Sequence, residues 1–145
     1  MIIEVNETNL AQAAEVHSIS WKESHKSFCS PEFIEMHSPQ HQEEYLREKL
    51  ANGSKLYMLV EEKPIGMVSV TESLIEDLYI LPKMQNMGFG TELLRYAMER
   101  CEETPTLWIL ENNKDAERLY RRIGFKPTGK RNAITDKLDE IEFSL

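Results

Sequence analysis

The sequence of 145 residues has few of the features that place a protein at a glance. Its two cysteines, Cys29 and Cys101, are too few and too far apart for a disulfide framework or a C-x-x-C motif, which fits reduced thiols in a reducing compartment. Six glycines and six prolines, with no internal repeat, exclude collagen-like and low-complexity chains. Positive charge is in deficit: 17 Lys+Arg face 25 Asp+Glu, for a net charge of -8. Nucleic-acid binding rests mostly on phosphate neutralisation, so DNA and RNA are poor candidate partners. The longest unbroken apolar run is only residues 56–60, far below the ~20 residues of a membrane span. With no basic segment leading into an apolar one, neither a signal peptide nor a membrane partner is expected, and a cytoplasmic location is. What is present is an ordinary globular balance, 41% hydrophobic and 29% charged, of a length that suits one domain over residues 1–145.

The chain alternates short strands and helices. Residues 1–5 read as a strand, and residues 6–8 as the cap of a helix whose inward positions are Leu10, Ala13, Ala14, His17 and Trp21. Ser30-Pro31 and Ser38-Pro39 each read as a cap followed by proline in the first helical turn. The second of these leads into residues 42–50, with Tyr45, Leu46, Lys49 and Leu50 on one face and Asn52-Gly53 as the stop. Strands are expected at 55–61, 65–71 and 76–81. A glycine-bearing loop, 85–90, then opens a helix with an apolar stripe of Leu93, Leu94, Ala97, Met98 and Cys101. A strand at 106–110 precedes a helix capped by Asn112 or Asn113 and stopped by Gly124. A final pair of strands follows, the second at 141–145. The order predicts an α/β mixed sheet with helices on both faces.

The loop is the most informative segment. A strand ending L-Y-I-L-P runs into Gln85, Gly88 and Gly90 and then into a helix. Glycines in such a place let successive backbone N–H groups converge on an anion at the helix N-terminus, and Gly88 and Gly90 are expected to supply unusual φ angles and close approach. A dinucleotide fingerprint requires a third glycine where Leu93 stands. A Walker-type loop is nearly spelled by Gly124, Gly129 and Lys130, but Arg131 replaces the metal-binding Ser or Thr and the element before it is a helix.

What remains, Q-x-x-G-x-G after that strand, resembles the GNAT superfamily of N-acetyltransferases. A second match lies downstream, where Asn113, Ala116, Tyr120, Gly124 and Phe125 follow the family's N-x-x-A…Y…GF pattern. The resemblance implies a single GNAT-like domain with a mostly antiparallel sheet and acetyl-coenzyme A as cosubstrate. It implies that Leu78, Tyr79 and Ile80 offer backbone groups to the pantetheine arm, and that Gln85, Asn86, Met87, Gly88, Phe89, Gly90 and Thr91 form the pyrophosphate loop. Asn113 is implied to touch the cofactor arm, and Tyr120 to stand near the thioester sulfur. Asn86 and Met87 depart from the pattern, because many members carry Arg or Lys there; Lys83, Arg121 and Arg122 are candidates to supply that charge. The implied reaction is acetyl transfer to a primary amine of a small molecule or a protein N-terminus. The alternative is a non-catalytic acyl-coenzyme A sensor. A homodimer is the default oligomer.

The chemistry sets its own demands. An amine of pKa ~10.4 must lose a proton before it attacks, at a cost of about 4–5 kcal/mol at pH 7. Glu76 is the candidate base, through a water, and alternation places it on the face of Leu78 and Ile80. Tyr120 is the candidate acid for a thiolate of pKa ~8.5. The backbone N–H of Ile80 is a candidate oxyanion donor. The four histidines, His17, His25, His37 and His41, all fall in the first third of the chain. His37 and His41 are four apart, but Pro39 lies between them and no third ligand is evident, so no metal site is expected. By the resemblance, Trp21, His25 and Phe28 wall the acceptor pocket.

Overall fold

In the computed structural model, which describes residues 1–145, the elements run β1 (Ile2–Glu4), α1 (Leu10–His25), α2 (Pro31–Glu35), α3 (Pro39–Ala51), β2 (Lys55–Val60), β3 (Pro64–Thr71) and β4 (Leu74–Ile80). A 3-10 turn (Pro82–Met84) leads to α4 (Phe89–Glu99), β5 (Thr106–Leu110), α5 (Lys114–Ile123), β6 (Lys126–Thr135) and β7 (Leu138–Ser144). The seven strands form one sheet in the order β1-β2-β3-β4-β5-β7-β6. Every neighbouring pair is antiparallel except β4 and β5. No helix is long and apolar enough to cross a membrane.

Both faces of the sheet are covered, which is why β2 reads as an unbroken apolar run. Leu56 and Met58 point to one face and join Leu10, Ala13, Ala14 and Val16 of α1, Leu46 of α3 and Met67 of β3. Tyr57 and Leu59 point to the other and join Leu93, Leu94 and Ala97 of α4 and Tyr120 of α5. Gly66 on β3 admits α4 at close range: a Cβ there would stand 2.6 Å from Ile80 Cδ1 and 2.9 Å from Leu93 Cδ1.

The serine caps form as expected. The Ser30 side chain accepts from the Phe33 amide and that of Ser38 from the His41 amide, each with proline beginning the helix. The start of α1 differs. Its N-cap is Asn9, with no side-chain cap bond to the helix. Asn6 is instead spent on a local turn, accepting from the amide and hydroxyl of Thr8, the competition that short polar side chains offer to helix capping. β4 begins at Leu74 and β7 at Leu138, earlier than the sequence suggests. Pairing with β3 and β5 extends β4 over Leu74 and Ile75, and pairing with β5 and β6 extends β7 over Leu138, Asp139 and Glu140.

Candidate active site

The site forms where β4 departs from regularity. Ser69 of β3 pairs with Glu76, but Met67 pairs with Tyr79, so Asp77 and Leu78 together oppose Val68. This is a β-bulge, and Asp77 takes φ +54° within it, a conformation that aspartate tolerates better than most residues. The bulge resets the alternation. Glu76, opposite Ser69, and Tyr79, opposite Met67, both face α1 and α3, whereas Leu78 and Ile80 pack with the α4 cluster. Glu76 therefore does not share a face with Leu78 and Ile80; the extra residue inverts the expected pattern. On its other edge β4 meets β5 only at Leu74–Thr106 and Ile75–Leu107. Beyond that point Leu78, Tyr79 and Ile80 have no strand beside them on the β5 side.

The loop after β4 delivers a row of free donors. The backbone N–H groups of Asn86, Met87, Gly88, Phe89, Gly90 and Thr91 reach no acceptor in the protein, and the first bond into α4 runs from the Glu92 N–H to the Gly88 carbonyl. Gly88 is the N-cap, at φ +90°. Gly90 is ordinary helix: its φ is not positive, and a Cβ there would meet Leu119 at 3.5 Å, a normal contact. Of the two glycines only Gly88 answers a conformational need, because the turn into α4 is complete by residue 89. Gln85 anchors the loop by donating its side-chain amide to the Ile80 carbonyl at 3.1 Å. Arg122 comes to the helix entry, 3.4 Å from Thr91 Oγ1. Arg121 turns to Glu117 and lies over Phe143.

Tyr120 lies on the inner face of α5, 8% exposed. Its ring meets Phe125 edge-on, and no side-chain hydrogen bond acts on its hydroxyl. Burial pushes its phenol well above the usual tyrosine range. Asn113 is the N-cap of α5, its Oδ1 accepting from the Ala116 amide. That bond uses one of the two lone pairs of the oxygen, and the side-chain NH2 has no partner in the protein. A cavity of about 820 Å³ lies nearby, with Phe28, Glu111, Asn112, Arg131 and Leu138 in its wall.

On the opposite face of the sheet is a feature that sequence reasoning missed. Asp77, its side chain 9% exposed, accepts from four groups: His17 Nε2 at 2.9 Å, Lys49 Nζ at 2.7 Å, Ser69 Oγ at 2.9 Å and Tyr45 OH at 3.1 Å. Burial alone would raise the Asp77 carboxyl. The His17 hydrogen bond and the Lys49 charge outweigh it and hold the group well below the usual carboxylate range. Burial would likewise lower Lys49, but Asp77 raises it on balance. Lys49 also donates to Glu76 Oε1 at 2.9 Å, leaving Oε2 unpartnered. Tyr79 stands over His17, with ring centroids 4.8 Å apart. Burial first, then the charge of Asp77 and the neighbouring Tyr45 and Tyr120 phenols, push Tyr79 upward.

His17, Tyr45, Asp77 and Tyr79 border a smaller cavity of about 220 Å³ between α1, α3 and β4, completed by Trp21, His37, His41 and Gln42. Trp21 is stacked between His25 at 4.0 Å and His37 at 3.5 Å. Burial lowers both imidazoles below the ordinary histidine value. One signal did point here: His17 is the only strongly polar member of the inward stripe of α1, and it proves to be 2% exposed.

Comparison with known proteins gives a consistent picture. A model of the acetyltransferase (GNAT) family matches residues 13–125. The peptidyl-lysine N-acetyltransferase YjaB of Escherichia coli K12 is 30% identical over 77 residues, covering 52% of this chain and 52% of that protein. The chain thus spans about half the length of the curated relatives it matches. The PaiA N-acetyltransferase of Thermoplasma acidophilum, solved with coenzyme A, superposes with a TM-score of 0.72 at 19% identity, over 100% of this chain and 98% of that one. The yncA protein of Salmonella typhimurium, solved with its cofactor acetyl-CoA, gives 0.73 at 16% identity, over 100% of this chain and 92% of that one. At such identity the agreement is one of fold.

Proposed function

Since this chain belongs to the acetyltransferase (GNAT) family, we propose that it moves an acetyl group from acetyl-coenzyme A to a primary amine of a small molecule or a protein N-terminus, by direct attack on the thioester. The observation that carries this reading is the run of six unpartnered backbone N–H groups from Asn86 to Thr91 at the start of α4. With the helix dipole behind them, such donors suit a pyrophosphate. Arg122 at Thr91 provides the positive charge that Asn86 and Met87 lack. The uncovered edge of β4 at Leu78, Tyr79 and Ile80 suits an amide-bearing arm, and Asn113 at the start of α5 is the side chain assigned to that arm. Bound acetyl-coenzyme A would supply the activated acyl group; the chain's own residues would manage the proton and the charge.

Tyr120 contributes a hydrogen bond to the departing sulfur. Its phenol is raised by burial, so complete proton transfer to a thiolate of pKa ~8.5 runs uphill, and stabilising the sulfur is the larger part of its role. The backbone N–H of Ile80 remains the candidate donor to the carbonyl oxygen. Glu76 keeps one free carboxylate oxygen for a water at the acceptor side of β4. The half-length likeness to peptidyl-lysine N-acetyltransferases adds lysine side chains to the amines worth testing.

The test has two readouts. Acetyl-coenzyme A at ~100 times its dissociation constant should add about 2.7 kcal/mol of stability, a melting shift on the order of 5–10 °C for a chain of this size. A panel of amines should then release free thiol. No thermal shift at millimolar ligand removes the proposal; a shift without turnover on any amine assigns the chain to acyl-coenzyme A sensing instead.

A further inference from the structure

A single hydrogen-bonded chain leads from the buried carboxylate on β4 to the exposed imidazole of His41. Asp77 Oδ1 is 2.9 Å from His17 Nε2, His17 Nδ1 is 2.7 Å from Gln42 Nε2, and Gln42 Oε1 is 2.7 Å from His41 Nδ1. Gln42 is 2% exposed, and so is His17. Each link assigns the next. An ionised carboxylate only accepts, so His17 Nε2 carries hydrogen. The Gln42 NH2 only donates, so His17 Nδ1 accepts. The Gln42 carbonyl only accepts, so His41 Nδ1 carries hydrogen. Reversing Gln42 would set its oxygen against His17 Nδ1 and require hydrogen on both nitrogens of that ring. The outcome is a His41 ring whose remaining polar atom, Nε2, is a bare lone pair on a residue that borders the 220 Å³ cavity. This is the reverse of the tautomer that a free imidazole favours in water, and a buried relay maintains it.

We propose that this cavity receives the acceptor amine and that His41 Nε2 takes the proton the amine gives up, with Asp77, His17 and Gln42 as positioning residues. The inference rests on the acetyl-transfer reading. As the amine nitrogen bonds to the acyl carbon, the carbon–sulfur bond breaks and its electron pair leaves on sulfur. Tyr120 hydrogen-bonds that sulfur, which takes a proton from solvent. The amine proton goes to His41 Nε2, an exposed ring that passes it on to solvent, so the net products are amide and free thiol. The walls suit an amine approaching uncharged. The one carboxylate at the cavity, Asp77, is already matched by Lys49 at 2.7 Å, which leaves aromatic faces from Trp21, Tyr45 and Tyr79 and imidazole lone pairs to receive the nitrogen. His37 has its Nδ1–H against the Phe33 carbonyl at 2.9 Å and its ring stacked on Trp21, so its Nε2 is a second bare lone pair at the cavity; burial lowers its basicity, and His37→Asn, expected to keep wild-type kcat, is the control for His41→Asn.

Two measurements decide the matter. Long-range proton–nitrogen NMR of the wild-type protein reads each ring directly and needs no activity. Above the imidazole titrations, the expected pattern is Nδ1–H for His41 and Nε2–H for His17, with His41 reverting to Nε2–H in Gln42→Leu. Nε2–H at His41 in the wild type, or hydrogen on both nitrogens of His17, overturns the relay. The kinetic arm uses His41→Asn, whose amide keeps a donor near the Nδ1 position while deleting Nε2. With an amine that the wild type acetylates, kcat should fall by ~10²-fold or more, with acetyl-coenzyme A affinity unchanged, while Glu76→Gln loses less. Wild-type kcat in His41→Asn, or a larger loss in Glu76→Gln, refutes His41 as proton acceptor and leaves the acetyltransferase reading standing. Failure of that reading has its own signature, a wild-type protein that neither binds acetyl-coenzyme A nor releases thiol.

Discussion

Replacing Lys49 with methionine removes the cation from the Asp77 network and keeps most of the side-chain volume. In the wild type, the Lys49 and Asp77 side chains are 13% and 9% exposed and 2.7 Å apart. Breaking a buried pair by deleting one partner costs about 3–5 kcal/mol, because the other charge is left uncompensated. Three donors would still reach Asp77, from His17, Ser69 and Tyr45, so the loss belongs at the lower end, ~3 kcal/mol. For a chain of this length that is a melting decrease of roughly 6–12 °C. The sign with pH follows from the depressed Asp77 carboxyl. The stability it contributes in the wild type is complete above the unfolded value of ~3.9 and is lost as pH falls through its lower folded value. Without Lys49 the balance moves toward burial, which raises the carboxyl. The variant then takes up its proton at higher pH than the wild type, and its deficit narrows in acid. Urea unfolding at pH 7 and at pH ~3, inside the window below the unfolded carboxyl value, with Lys49→Met/Asp77→Asn as the closing corner of a double-mutant cycle, measures both effects. A deficit below ~1 kcal/mol at pH 7, the range of exposed ion pairs, or one that does not change with pH, would refute the claim that Asp77 is a buried charge held by Lys49.

Tyr120→Phe should lower turnover by roughly 10–100-fold, the value of a hydrogen bond to a charged group; stability should hardly change, because no side-chain hydrogen bond acts on the hydroxyl, and wild-type kcat with chemistry rate-limiting would make Tyr120 a core residue. Gly66→Ala should cost about 1–3 kcal/mol by overpacking, since the new Cβ meets Ile80 Cδ1 at 2.6 Å and the Tyr79 carbonyl at 3.0 Å; denaturation at unchanged slope would measure it, and a neutral result would show that α4 and Ile80 can shift aside.

Local chemistry let the sequence carry much of this protein unaided. Serine-proline pairs start α2 and α3 because cap and first-turn proline are both short-range effects. Gly124 ends α5 at φ +122° for the same kind of reason, and residues 55–60 announce a strand buried on both faces. The loop whose backbone N–H groups at 86–91 are left free was legible because its glycines and the helix after it are contiguous, and the placing of Tyr120 on α5 followed from that helix's cap and stop. Only the tertiary structure decided the rest. A bulge is a mismatch of register between two strands, so nothing in residues 74–80 alone says that Asp77 takes φ +54° or that Glu76 changes face. The polar relay joins Asp77 to residues 60 and 28 positions away on two helices, and no periodicity in either helix encodes that meeting. His17 and Gln42 each break an otherwise ordinary pattern of apolar inward positions. A polar group is stable at such a depth only when partners satisfy it, and those partners exist only once the sheet and both helices are packed.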